Sequence, residues 1–127
     1  MSTRQGERNR RKNRKLSDQW MIDRYAKGYA HWTEYRIPGV LPLVRGRRFR
    51  VKGERGWFIF TDAGRDRGGD YLNCVGPFSK KSIHTQGLSR VFAPDRVLET
   101  ERRVLPIGGD VETKGEQAER LGLNQAA

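Results

Sequence analysis

A chain of 127 residues, 35% apolar and 32% charged, has room for one small domain with a modest core. Its net charge of +11 points to a polyanionic partner, nucleic acid ahead of an anionic membrane surface or an acidic protein. No apolar run approaches the roughly 18 residues that cross a bilayer, and the single cysteine, Cys74, rules out an internal disulfide or a cysteine-built zinc site.

Residues 1–16 hold seven basic side chains and one acid. They lack apolar periodicity and are expected to form a disordered basic arm. Arg10, Arg11, Lys12, Arg14 and Lys15 are its candidate phosphate contacts, with a solubilising tail as the alternative. No apolar stretch follows these cations to make a signal peptide, so a cytoplasmic location is expected.

Ser17 reads as a helix N-cap, with Asp18 in the first turn where the helix dipole favours an anion. Met21, Tyr25, Tyr29 and Trp32 then recur at helical spacing, which predicts one amphipathic helix of about four turns, weakened by Gly28 and finished before Pro38-Gly39. The aromatic stripe is read as a packing face.

Beyond IPGVLP the periodicity alternates. Strands over 44–52 and 57–61, joined across residues 53–56, would place Phe49 opposite Phe60 and Val51 opposite Phe58 on one side. The other side would carry Arg48, Arg50 and Lys52 beside Trp57 and Ile59. DAGRDRGGD, residues 62–70, reads as a loop, and its aspartates do not have EF-hand spacing. A third strand, YLNCV, precedes Gly76-Pro77; then come a loop with Lys80 and Lys81, a short strand through Val91 and Phe92, a tight turn at Ala93-Pro94-Asp95, and a last strand from Val97. The expected fold is mainly β with one helix: a small SH3-like β-barrel preceded by the amphipathic helix, together spanning 17–104. Residues 105–127 are expected to be a flexible polar tail with at most a fragile helix near 114–121.

FRVKGERGWFIF, YLNCVGP and RVFAPDRVLETERR resemble a family of small uncharacterised basic proteins of actinobacterial phages. The match spans about residues 43–103. Where that family commonly ends in a Val-His-Arg stretch, this chain has Leu98-Glu99-Thr100-Glu101-Arg102. The resemblance implies a phage origin and a small β domain, and supplies no function.

No nucleophile stands in a recognisable catalytic setting. Cys74 lies in an apolar-flanked run, and Ser79, Ser82 and His84 share a loop without an acid. His31 and His84 belong to no motif. The expected function is therefore non-enzymatic binding of DNA or RNA through phosphates, with weak sequence specificity and without cofactor or metal. The candidate contacts within the domain are Arg48, Arg50, Lys52, Trp57, Lys80, Lys81 and Arg90. Trp57 would either stack on a base or lie buried under the helix. The alternatives are a protein-interaction module docking on a host or phage protein, and a minor virion component.

Overall fold

The computed structural model describes residues 17–107 and 112–123. Helix α1 (Asp18–Ala26) opens on Ser17, whose side chain accepts a hydrogen bond from the Trp20 N–H. It is about half the expected length, because Gly28 adopts φ +92, a left-handed conformation that ends a helix. Tyr29 and Trp32 therefore lie off the helix. Residues Ala30–Trp32 form strand β1 instead, pairing with the far end of β5.

Short strands β2 (Glu34–Tyr35) and β3 (Leu43–Val44) pair with each other. The main sheet comprises β4 (Arg47–Val51), β5 (Trp57–Asp66), β6 (Gly69–Phe78), β7 (Ser89–Phe92) and β8 (Val97–Val104), in the antiparallel order β7-β6-β5-β4-β8. A single 3-10 turn, Pro94–Arg96, separates β7 from β8 at the expected tight turn. The fold is thus mainly β with two helices, and among the described residues the sheet is open: no hydrogen-bonded pairing closes it into a barrel.

Strand parity holds in the first hairpin, but the pairing slides by two residues. Phe49 faces Phe58, and Arg48 faces Ile59. A two-residue slide preserves which side each residue occupies, so Phe49, Val51, Phe58 and Phe60 still enter the core, with Leu43, Ala63, Leu72, Cys74 and Phe92.

DAGRDRGGD is not a loop. β5 and β6 continue through it as a long hairpin, with Asp66 opposite Gly69. A register shift between Phe60 and Asp62 reverses the alternation, so Ala63 faces the core and Asp62 the opposite side. Pairing to β6 on one edge and β1 on the other stabilises residues that have little strand propensity of their own.

The segment expected to be a tail contributes helix α2 (Lys114–Arg120), closed at its start by a capping box between Thr113 and Glu116. Gln117 and Ala118 are buried. Gly115 lies so close to β1 that a Cβ there would sit 2.5 Å from the Trp32 carbonyl carbon. The Gly115 N–H donates to Asp62, Arg45 pairs with Glu116, and Thr33 donates to Glu119. Across the helices, Gln117 and Arg120 both reach Asp18 on α1.

Candidate nucleic-acid interface

The outer side of β4 and β8 carries a ladder of charge. Arg48 is fully buried. Its Nε and Nη2 donate to the two carboxylate oxygens of Glu101 at 2.6 and 2.7 Å. Nη1 donates to the carbonyls of Ser79 and Ser82, each at 3.2 Å, and Nη2 also donates to that of Lys80 at 2.8 Å. These bonds occupy all five guanidinium N–H groups. Arg48 was a candidate phosphate contact; here it is a clamp that pins the 79–82 loop to the sheet, with no donor left for a phosphate.

The clamp has electrostatic and packing consequences. Hydrogen bonds from Arg48 hold the Glu101 carboxyl below the usual carboxylate range, helped by Arg103 at 3.6 Å. The Arg48 guanidinium carbon also sits 5.6 Å from the centroid of the Trp57 ring, a cation–π distance. Trp57 is half-buried and pairs with Phe78 across β5 and β6. Helix α1 does not cover it. α1 is anchored where the Tyr25 hydroxyl bridges the backbone N–H and C=O of His31, and His31 pairs with Gly64. Seven residues of β5 separate Gly64 from Trp57, about 20 Å.

The other expected contacts fall into groups. Lys80 and Lys81 are exposed on the pinned loop, and Lys52 is exposed at the end of β4. Arg50 is exposed beside Glu99 at 3.6 Å, a surface pair worth little. Arg90 is engaged within the protein: it donates to Glu54 at 2.6 Å and lies over the rings of Phe58 and Phe92. Arg10, Arg11, Lys12, Arg14 and Lys15 lie outside the described residues. The structure thus brings Arg50, Lys52, Lys80, Lys81 and Trp57 to one side, joined by Arg103, which strand parity on β8 places there and the sequence reading missed.

A second cationic and aromatic cluster was also missed. The Arg24 guanidinium stacks 4.8 Å from Trp20 and 4.3 Å from Tyr29, and Lys114 of α2 lies 5.5 Å from Trp20. Trp20 and Lys114 are 94 positions apart, so no local pattern could have joined them.

The buried polar groups hold the helices to the sheet. His31 Nε2 lies 3.1 Å from the Tyr71 hydroxyl. Burial lowers its pKa to about 4, with Lys114 and Arg24 adding repulsion, so the ring is neutral at pH 7. Burial pushes the Asp62 carboxyl above its usual range, against the hydrogen bonds from Asn73 and Gly115. Cys74 is buried in the core and its thiol is pushed up to about 12, which leaves almost no thiolate to act as a nucleophile.

Among the described residues no helix is long and apolar enough to cross a membrane. No family model, curated protein or solved structure matches the chain.

Proposed function

We propose that the protein is a non-enzymatic, phage-type nucleic-acid-binding protein of the infected host's cytoplasm, holding DNA or RNA mainly through phosphates. The observation that carries this reading is the pinned loop. A fully buried arginine, neutralised by Glu101, holds in place a surface segment whose two lysine side chains have no acidic partner among the described residues. Lys52, Arg50 and Arg103 extend that cationic surface, and Trp57 offers a partly exposed ring beside it. The basic residues of 1–16 add charge of the same sign. The strand order, with a 3-10 turn before the last strand, supports reading the domain as an opened SH3-like barrel. The phage origin is supported by the sequence resemblance over residues 43–103.

Fluorescence anisotropy with labelled single- and double-stranded oligonucleotides at two salt concentrations tests the proposal. Binding that weakens steeply with salt supports it, and absence of binding to DNA and RNA at low salt defeats it.

A further inference from the structure

The segment that Arg48 pins carries more than its two lysines. The Ser82 N–H donates to the Ser79 carbonyl at 3.0 Å, which makes residues 79–82 a tight turn with Lys80 and Lys81 at its corners. Three carbonyls of that turn, those of Ser79, Lys80 and Ser82, accept from the buried guanidinium. The His84 N–H donates to the Ser82 hydroxyl, so the chain stays tied just beyond the turn. Its return is held as well. The Gly76 N–H donates to the Leu88 carbonyl, and a Cβ at Gly87 would stand 2.9 Å from the Phe78 ring.

Ile83 lies between Ser82 and His84, the two residues joined by that last tie. Its side chain is 74% exposed, and Leu88 at 76% is the one large apolar residue more exposed among those described. Single exposed apolar side chains are common. Here the exposure coincides with constrained backbone and with two adjacent lysines that have no acidic partner among the described residues.

Charge and side-chain type select the occupant. Residues 71–94 contain no acid, and Glu101, which reaches the turn through Arg48, is shared by Arg48 and Arg103. Residues 79–88 hold no Phe, Tyr or Trp. The loop therefore offers neither a platform for an unpaired base nor the aromatic anchors that settle at a bilayer interface. An aliphatic side chain acts on nucleic acid differently: it wedges between base steps from the minor groove and kinks the duplex. The minor groove of B-form DNA, about 6 Å wide, encloses such a side chain, whereas that of A-form RNA is wide and shallow. Unstacking a step takes work, and a wedge on backbone fixed by Arg48 can deliver it.

We infer that Ile83 is a wedge for duplex DNA, entering a base step from the minor groove while Lys80 and Lys81 hold the flanking phosphates, so that binding bends the duplex. The inference rests on the nucleic-acid reading above and narrows it to duplex that can be kinked. Pyrimidine–purine steps unstack most easily and are the preferred points of entry.

The test titrates the full chain into a short DNA duplex with a donor dye at one end and an acceptor at the other, while anisotropy follows binding. Energy transfer should rise at saturation. A duplex with one central mismatch should bind roughly tenfold tighter than the matched one, because a mismatched step costs less to unstack. Ile83→Ser changes an exposed side chain and keeps both lysines, so binding should retain its salt slope while the rise in transfer is lost. Ile83→Met, still apolar, should retain both. The inference is overturned if the wild type binds duplex DNA without bending it, if Ile83→Ser bends it equally, or if Ile83→Met does not bend it; salt-dependent binding would then leave the broader reading standing. Absence of binding to any nucleic acid defeats both. Sedimentation with phosphatidylserine-containing vesicles covers the other anionic surface: vesicle binding that Ile83→Ser abolishes, without bending of DNA, assigns the loop to a bilayer and overturns the inference.

Discussion

Arg48 and Glu101 meet fork to fork across β4 and β8, with two N–H···O bonds of 2.6 and 2.7 Å. The arginine is fully enclosed, whereas the glutamate side chain keeps 22% of its surface exposed. This asymmetry predicts unequal mutational costs. Glu101→Ala leaves a buried cation without its anion and should cost about 3–5 kcal/mol. Arg48→Met leaves a carboxylate that can reach water and should cost less. Urea unfolding of the two variants measures the difference, and the reverse ranking would show that Glu101 is not what neutralises Arg48.

Acid should destabilise the fold in two stages. His31 has a folded pKa of about 4 against 6.5 unfolded, so as pH falls from 6.5 toward 4 the unfolded chain takes up a proton that the folded chain refuses. The loss amounts to about 3 kcal/mol once pH 4 is passed. Glu101, depressed by Arg48, contributes stability that is present above its unfolded pKa and is lost as pH drops through its folded value. Asp62, shifted upward, works in the opposite sense: the folded state gains stability as pH falls through its raised value, which offsets part of the first stage. Denaturation midpoints from pH 7 to 4 check the first stage, and His31→Gln should flatten it.

Gly115→Ala should detach α2. The added methyl would meet the Trp32 and Thr33 backbone, at 2.5 Å from the Trp32 carbonyl carbon and 2.7 Å from the Thr33 nitrogen, and strand backbone cannot yield as a side chain can. Overpacking of this kind costs about 1–3 kcal/mol. Limited proteolysis should then cut near residues 112–123 well before the sheet. A variant as resistant as the wild type would mean that α2 can shift without undocking.

If Lys52, Lys80 and Lys81 each contact a phosphate, replacing all three with glutamine should flatten the plot of log affinity against log salt by roughly 2–3. Anisotropy titrations across a salt series read this slope. Arg67→Gln, at the turn of the β5–β6 hairpin, should leave it unchanged.

Parity made the core side of the first hairpin legible: Phe49, Val51, Phe58 and Phe60 are inside, and the Ser17 cap also stands where its hydroxyl suggested. What eluded local reading depended on distant partners. Residues 62–66 look like a turn until β1 and β6 pair with them from both sides. The helix stripe seemed to run through Tyr29 and Trp32, but His31 is drawn into the sheet opposite Gly64. Arg48 is indistinguishable from its exposed neighbour Arg50 until Glu101, 53 positions on, closes over it. The candidate site was legible as a basic strand face, while the division of that face into clamp and display was not.

The contact between Asp18 and Arg120, 2.6 Å apart, joins positions 102 apart, and Gln117 reaches the same carboxylate. Each helix thus shares the other's anchorage: α1 is tied to β1 through Tyr25 and His31, and α2 to β5 through Gly115 and Asp62. Loss of either anchor should loosen both helices, which would then open as one cooperative unit.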